Sequence, residues 1–287
     1  MNICILGSGV MGQGIISLFT KLESCEKIIW WVRNVEKTEA SLRSLRKDLQ
    51  RHCRKNALDK EQESKLIDRI QITENLNEVK GCDLYIEAIS ENIALKKSLM
   101  EQLGQVIDSN NCIVASNTSS LSITELSMSL PNPENFVGLH FFNPTSLMKL
   151  VEVVKGLCTT QETIDRTMAI VEMLDKTPVV VNDSPGFIVN RMLLPMINEA
   201  VTLLSEGIAT KEDIDKAMMY GANHPIGPLK LADLIGNDVC LSIMDTLHQE
   251  TGDPKYRASP LLRKYVRAGY LGRKVNVGFY NYNKGKQ

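Results

Sequence analysis

The stretch ICILGSGVMGQG, residues 3–14, decides the fold of this chain. It begins within a short apolar run, Asn2–Leu6, of the kind that forms a buried strand. Glycines follow at once in the spacing G-x-G-x-x-G, and the residues from Val10 to about Leu22 have helical character. The next apolar run, Lys27–Val32, predicts a second strand. A strand, a glycine turn, a helix and a strand in this order predict the first unit of a dinucleotide-binding Rossmann sheet.

The three glycines have separate roles in such a turn. Gly7 permits the tight bend, Gly9 lets a pyrophosphate approach the backbone, and Gly12 lets the helix lie close to the strand. The helix start, with Val10 and Met11, contributes the positive potential of its N-terminus. We therefore predict that these residues bind the pyrophosphate of a dinucleotide.

Further apolar runs continue the sheet at 84–88, 112–115 and 136–139, and a helical pattern at 93–107 separates the first two. This alternation favours a parallel, doubly wound sheet. The charged stretch 37–69 carries spaced leucines, and we expect it to form a helical hairpin inserted into the domain.

The pattern changes near residue 184. Ser184-Pro185 predicts a helix start, with the serine as N-cap and the proline in the first turn. After it there are no strand-like runs, and the helical patterns cover 187–206, 211–220, 228–251 and 259–268. The sequence therefore predicts an α/β Rossmann-type domain over 1–184 and an all-α C-terminal domain over 185–287.

Composition argues against several classes of partner. The 34 acidic and 33 basic residues almost cancel, so no global field would attract nucleic acid or membrane. No apolar run approaches the roughly 20 residues that span a bilayer. Because the first strand begins at Asn2, we expect a cytoplasmic protein without a signal peptide. The seven cysteines lack CxxC spacing, which is typical of reduced thiols and indicates no metal site.

His140 and Glu152 are the candidate catalytic pair. His140 ends an apolar strand, so it should lie at the carboxyl edge of the sheet, where ligands bind in open α/β folds. Glu152 lies in the apolar run 150–154, where a carboxylate is costly unless it is partnered, and an imidazole could partner it. Such a pair can move the hydroxyl proton that accompanies hydride transfer. A structural role for the histidine is the alternative.

Two other polar segments could contact a substrate. SNTSS at 116–120 follows the strand 112–115, and its hydroxyls could bond a substrate oxygen, bond the cofactor or only cap the next helix. Asn190 shares an i, i+3, i+7 helix face with Phe187 and Leu194. We expect its amide to point inward, toward a substrate or into a structural hydrogen bond.

The end of the second strand bears on cofactor choice. NAD-preferring sites usually place a carboxylate there, whereas this chain has Trp31-Val32-Arg33-Asn34. Arg33 could pair with a 2′-phosphate, stack on the adenine or lie in solvent. Of these, we favour pairing with a phosphate, and hence NADP(H) over NAD(H).

A basic segment follows at 43–55, where six lysines and arginines face a single acid, Asp48. A charge run of this kind is either a solvated helix face or a site for an anionic group such as the phosphates of coenzyme A.

Together these segments resemble the 3-hydroxyacyl-CoA dehydrogenase family. The resemblance runs from end to end, and its motifs include GSGVMGQGI, IEAISEN, ASNTSSLSIT, HFFNP, MKLVEVV, SPGFIVNR and GANHPIGPLKLADLIGNDV. It implies a Rossmann domain and a helical domain that forms a homodimer. It also implies the reversible NAD(P)H-dependent reduction of a short 3-oxoacyl-CoA, such as acetoacetyl-CoA, to the (S)-3-hydroxyacyl-CoA.

The resemblance implies roles for single residues as well. His140 would be the acid/base and Glu152 its orienting partner, while Ser119 and Asn190 would bond the reacting oxygen and hold the acyl thioester. The positions that match cofactor contacts of the family are Glu91, Lys96, Asn143 and Lys274. The positions that match coenzyme A contacts, by a looser alignment, are Ser44 and Arg51.

The chain departs from the family pattern in two places. Val32 and Arg33 stand where the family normally has an aspartate, and Val275-Asn276-Val277 replaces a small, glycine-containing turn next to Lys274. Two other functions stay open at this point. One is a related dehydrogenase of a free hydroxy acid or sugar acid, and the other is a non-catalytic NAD(P)-binding protein.

Overall fold

The first part of the chain is built on one eight-stranded sheet. The computed structural model describes residues 1–57, 59–107 and 111–283. Its contacts divide the chain into two compact units, Met1–Ser184 and Pro185–Gln287. The strands of the first unit are β1 (Asn2–Leu6), β2 (Lys27–Trp31), β3 (Ile70–Thr73), β4 (Leu84–Glu87), β5 (Ile113–Ser116), β6 (Phe136–Phe141), β7 (Leu150–Lys155) and β8 (Thr177–Asn182). The helices of this unit are α1 (Val10–Thr20), α2 (Glu39–Lys55), α3 (Lys60–Asp68), α4 (Ile93–Gly104), α5 (Ile123–Ser127) and α6 (Gln161–Met173).

The strands lie in the order β3-β2-β1-β4-β5-β6-β7-β8. The predicted α/β fold is confirmed, but the sheet is not parallel throughout. Strands β1 to β6 are parallel, whereas β7 pairs antiparallel with β6, and β8 runs parallel to β7. The eight residues between β6 and β7 are too few for a parallel crossover, which needs about a dozen or more.

The central strands are mostly apolar because helices cover both faces of the sheet. Ile3 and Ile5 of β1 and Leu84 and Ile86 of β4 are fully buried in one continuous core. Because β1 and β4 to β6 are parallel, their carboxyl ends meet at one edge, and several candidate site residues lie at these ends or directly after them.

Helices α2 and α3 form the hairpin expected over 37–69. Leu45 and Leu49 of α2 are buried against the core, and Asp59 caps α3 in a reciprocal capping box with Gln62. Leu58, one of the leucines in this stretch, lies outside the described residues.

The second unit is helical, with α7 (Val189–Ser205), α8 (Lys211–Gly221), α9 (Pro228–Ile235), α10 (Asn237–Thr251) and α11 (Pro260–Arg267). The predicted helix start at Ser184-Pro185 is wrong. Gly186 and Phe187 have φ values of 70° and 50°, a left-handed conformation that no α-helix accommodates, so α7 begins only at Val189. The helix predicted over 228–251 is also wrong as a single element, because Gly236 with φ 109° divides it into α9 and α10. None of the helices described is long and apolar enough to cross a membrane.

Candidate active site

The glycine turn opens a space in front of α1. Gly7 has φ 128°, and a Cβ atom there would lie 2.4 Å from the carbonyl oxygen of Ala88. A Cβ on Gly12 would lie equally close to the carbonyl oxygen of Gly7. By contrast, a Cβ on Gly9 would meet nothing within 4 Å, and Val10 beside it is exposed.

This turn fits the pyrophosphate of a nicotinamide cofactor. The first turn of α1 contains no acidic residue, so its N–H groups present positive potential to the open space. The backbone can be approached closely at Gly9, where a side chain would otherwise stand. Met11 is half-buried in the same first turn of α1.

His140 and Glu152 lie directly opposite each other on β6 and β7. Opposed residues of an antiparallel pair project from the same face of the sheet, and here Nδ1 of His140 lies 2.7 Å from Oε2 of Glu152. Both side chains are buried, with residue exposures of 6% and 0%. The ring of Phe142 packs at 4.4 Å from the imidazole centroid and further limits the orientation of the imidazole. The two side chains are thus in contact, and their catalytic roles stay a prediction.

The hydroxyl-rich turn after β5 is organised by Glu91. Oε1 of Glu91 accepts hydrogen bonds from the Thr118 hydroxyl at 2.6 Å and from the backbone N–H of Ser119 at 2.9 Å. The Ser119 and Ser120 hydroxyls both lie 3.2 Å from the same oxygen. Glu91 and Ser119, which the family resemblance assigns to cofactor and substrate, therefore lie side by side.

Lys96 extends from α4 into the same cluster, and its side chain is buried. Its ammonium lies 2.6 Å from Oε1 of Glu87, and the two residues are 1% and 0% exposed. A direct contact between Lys96 and the cofactor stays a prediction. Sequence reasoning missed Glu87, although a carboxylate in the apolar run LYIEA is the same kind of signal that singled out Glu152.

A cavity of about 270 Å³ lies between α1, α2 and the loop after β6. Its lining includes Val10, Ser44, Arg51 and Asn143. The structure therefore brings Ser44 and Arg51, which match coenzyme A contacts, to the same cavity as Val10 of the predicted pyrophosphate turn and Asn143, which matches a cofactor contact.

Two polar side chains hold the walls of this cavity. Asp48, the only acid in the basic segment, accepts hydrogen bonds from Lys21 at 2.9 Å and from Ser17, which ties α2 to α1. Although burial opposes it, these bonds lower the pKa of Asp48. On the other wall, the Lys176 ammonium donates to the carbonyl oxygens of Thr145 at 2.6 Å and Met148 at 2.8 Å.

Arg33 is exposed just beyond the end of β2. The carboxylate of Glu74 approaches the same loop from the end of β3, where it accepts a hydrogen bond from the Val35 N–H. The Glu74 carbonyl oxygen accepts from the indole of Trp31 at 3.0 Å. Glu74 thus holds the loop backbone in place, and the Arg33 side chain of this loop is exposed.

Asn190 and Lys274 lie in the second unit. Asn190 is the second residue of α7 and is half-buried, while Leu194 on the same helix is buried. The prediction that Phe187 shares their helix face is wrong, because Phe187 precedes the helix. Lys274 lies 2.6 Å from both carboxylate oxygens of Asp238. Beside it, Asn276 takes the left-handed conformation, φ 61°, that a glycine would otherwise supply.

Comparison with known proteins identifies the family. Residues 2–184 match the family model of the 3-hydroxyacyl-CoA dehydrogenase NAD binding domain, and residues 186–282 match that of the C-terminal domain. The chain belongs to the 3-hydroxyacyl-CoA dehydrogenase family. The resemblance drawn from the sequence motifs is confirmed, and the protein is a dehydrogenase that uses a nicotinamide cofactor.

Individual family members are similar over nearly their whole length. A probable 3-hydroxybutyryl-CoA dehydrogenase of Bacillus subtilis is 47% identical over 283 residues, which cover 99% of this chain and 98% of that protein. The 3-hydroxybutyryl-CoA dehydrogenase of Clostridioides difficile is 45% identical, with coverage of 99% and 100%. The crystal structure of (S)-3-hydroxybutyryl-CoA dehydrogenase from Ralstonia eutropha superposes with a TM-score of 0.91 at 40% identity, covering 99% of each chain.

Proposed function

We propose that this dehydrogenase reduces a short 3-oxoacyl-CoA, such as acetoacetyl-CoA, reversibly to the (S)-3-hydroxyacyl-CoA. The observation that carries the proposal is the buried contact between His140 and Glu152 at the ligand-binding edge of the sheet. Relatives at 45–47% identity named for the 3-hydroxybutyryl-CoA reaction support the substrate class.

His140 is the acid and base of this reaction. A nicotinamide cofactor bound at the glycine turn would supply or accept the hydride at C3 of the substrate. With Nδ1–H donating to Glu152, the neutral imidazole accepts a proton at Nε2, and the imidazolium form donates it from Nε2. In reduction, Nε2 delivers a proton to the C3 oxygen, and in oxidation it takes that proton back. The carboxylate of Glu152 holds the ring in one orientation and compensates its charge when both nitrogens are protonated.

Ser119 and Asn190 stabilise the reacting oxygen. Negative charge grows on that oxygen in the transition state, and hydrogen bonds from a hydroxyl and an amide strengthen as it does so. The Ser119 hydroxyl lies at the edge of a turn held by backbone hydrogen bonds, which supports a fixed position for it.

The coenzyme A part of the substrate binds along the hairpin. Ser44 and Arg51 line the cavity between α1 and α2, and a guanidinium there suits a phosphate group. We expect Arg51→Glu to raise KM for acetoacetyl-CoA about tenfold or more, with kcat changed less. Arg54→Glu is the matched control, because Arg54 is exposed on the same helix but does not line the cavity.

Arg33 selects NADP(H) over NAD(H). It is an exposed cation at the end of β2, where NAD-preferring sites place a carboxylate, and it can pair with a 2′-phosphate. We expect Arg33→Asp to reverse the preference, because an acid repels the phosphate. Arg33→Lys keeps the positive charge without the bidentate geometry, so it should weaken the preference without reversing it.

Steady-state kinetics on acetoacetyl-CoA with NADPH and NADH in parallel test both proposals. We expect oxidation of NADPH that depends on acetoacetyl-CoA, and no comparable rate with free acetoacetate. Turnover of the free acid instead of the thioester would contradict the proposed substrate. A preference for NADH of about tenfold or more would contradict the role of Arg33.

The family resemblance also supports a cytoplasmic homodimer formed through the helical unit. Sedimentation equilibrium at micromolar concentration would measure the mass in solution. A mass of one chain, 32.1 kDa, at every concentration would contradict this proposal.

A further inference from the structure

Glu87 is a fully buried carboxylate that the mechanism above does not use. It is the last residue of β4, and each of its oxygens accepts a hydrogen bond. Oε1 accepts from the Lys96 ammonium and from the Ile89 N–H, both at 2.6 Å, and Oε2 accepts from the Ser116 hydroxyl at 2.5 Å. Because an unpaired charge is strongly unfavourable at this depth, the carboxylate and the ammonium hold each other in place.

Lys96 joins Glu87 to Glu91. Its ammonium lies 2.6 Å from the first carboxylate and 3.5 Å from Oε2 of the second. Burial raises the pKa of Glu91, but the charge of Lys96 and the hydrogen bonds from Thr118 and Ser119 outweigh it and lower that pKa. Glu91 is therefore an anion at neutral pH, with one oxygen toward the ammonium and the other toward the turn after β5.

That second oxygen of Glu91 fixes the turn. The backbone N–H groups of Ser119 and Ser120 donate to it at 2.9 Å and 3.2 Å, and the Thr118 hydroxyl donates at 2.6 Å. These bonds set the direction in which the Cα–Cβ bond of Ser119 points. The Ser119 hydroxyl itself can then rotate from Glu91 to a substrate oxygen without movement of the backbone.

A shorter path connects the same two places. The Ser116 hydroxyl donates to Glu87 and accepts from the Thr118 N–H at 3.3 Å. Both paths start at Glu87 and end on the turn 118–120.

We propose that Glu87 and Lys96 are positioning residues for the reduction: their buried ion pair, through Glu91 and Ser116, holds the turn that presents the Ser119 hydroxyl to the reacting oxygen. The proposal rests on the role of Ser119 in the proposed function. On this assignment the Lys96 ammonium acts on the turn, since it contacts both Glu87 and Glu91.

A double-mutant cycle between Glu87 and Ser119 tests the proposal. Glu87→Gln keeps the shape of the side chain and removes its charge. We expect kcat on acetoacetyl-CoA to fall about tenfold, because sub-ångström placement of the hydroxyl is lost. KM for the nicotinamide cofactor should stay within about twofold of the wild-type value. In the Ser119→Ala background, Glu87→Gln should cause no further loss, because the path ends at the hydroxyl already removed.

Two further variants complete the design. Lys97→Met is the matched control on the same helix: Lys97 pairs with Glu125 at 3.2 Å, but these side chains are 39% and 52% exposed, and kcat should not change. Ser116→Ala cuts only the shorter path and leaves the ion pair intact, so it supplies the test if Glu87→Gln does not fold. We expect a loss of a few fold in kcat that is again absent in the Ser119→Ala background.

The outcomes separate this proposal from the proposed function. Unchanged kcat in both Glu87→Gln and Ser116→Ala overturns the positioning proposal. It is also overturned if either substitution lowers kcat by the same factor in the Ser119→Ala background as in the wild type. A raised cofactor KM with unchanged kcat in Glu87→Gln identifies Lys96 as a cofactor contact and leaves the proposed reaction standing. A wild-type kcat in the single variant Ser119→Ala contradicts the role of Ser119 in the proposed function. The positioning proposal, which rests on that role, then fails as well.

Discussion

The two units of the chain surround their buried carboxylates with different kinds of hydrogen-bond donor. In the first unit, Glu87 and Glu152 are partnered by Lys96 and His140, side chains that carry or exchange a proton. In the second unit, Asp215 and Asp233 are just as buried but form no ion pair among the described residues.

Neutral donors surround the aspartates instead. Asp233 accepts from the backbone N–H groups of Phe279 and Tyr280, both at 2.9 Å, and from the Tyr282 hydroxyl at 3.0 Å. Asp215 accepts from the Leu229 N–H and the Tyr280 hydroxyl, both at 2.8 Å. Neutral donors can satisfy a buried carboxylate and pin the chain to it, but they cannot relay a proton at neutral pH. We infer that the aspartates fasten the C-terminal segment, whereas the glutamates serve the reaction.

The largest effect should follow from His140→Gln. We expect kcat to fall by about three orders of magnitude, because a glutamine amide can neither give nor take the proton at the C3 oxygen. Cofactor affinity and the urea midpoint should change little. Near-normal turnover would remove His140 from the mechanism. The buried carboxylate Glu152 would then have a structural role, as the aspartates of the second unit do.

Asp233→Asn should show the opposite profile. The amide turns an N–H group toward donors that need an acceptor, so we expect a loss of about 3 kcal/mol in the free energy of unfolding. The measurement is urea denaturation, with kcat determined on the fraction that stays folded. A fall in kcat comparable to that of His140→Gln, without a loss of stability, would contradict the inference that Asp233 has a structural role.

Glu152→Gln should be milder than the loss of the histidine. An amide can still accept the Nδ1–H bond but no longer compensates the charge of the ring, so we expect kcat to fall about 30-fold. Cofactor titration by fluorescence is the control for binding. Equal turnover in Glu152→Gln and wild type would reduce the carboxylate to a structural partner.

The smallest effects should appear as opposite pH limits of stability. Burial and the neighbouring Asp233 raise the pKa of Tyr282 to about 12, and burial and Asp215 raise that of Tyr280. Their contribution is complete below pH about 10, the unfolded value, and is lost as the pH rises through the folded values. The lowered pKa of Glu91 has the reverse sign, so its contribution is lost as the pH falls below about 4.

Urea denaturation across the pH range measures both limits. Tyr280→Phe with Tyr282→Phe should flatten the alkaline limb, and Glu91→Gln should flatten the acid limb. If both substitutions act on the same limb, the opposite signs assigned to the tyrosines and to Glu91 are wrong.

Much of the first unit follows from local pattern. The strand, glycine turn and helix at residues 2–20 lie within two residues of their predicted bounds, because the hydrophobic period and the glycine spacing are local signals. Strands β3 and β8 were not predicted, although their sequences IQIT and TPVVVN are rich in β-branched residues. They lie at the two edges of the sheet, half exposed, and their short runs look like loops until neighbouring strands are placed beside them.

The site divides along the same line. By itself, the sequence determined the family, the α/β class and the pairing of His140 with Glu152, because a carboxylate in an apolar run requires a partner and the motifs are contiguous. Only the tertiary structure decided that Glu87 engages Lys96, that Glu91 gathers the serine turn, and that α7 begins after a left-handed Gly186 and Phe187. Those outcomes depend on which strand ends and helix starts are brought together in space. Contacts between residues distant in the chain produce no repeating pattern in the sequence, so local pattern cannot predict them.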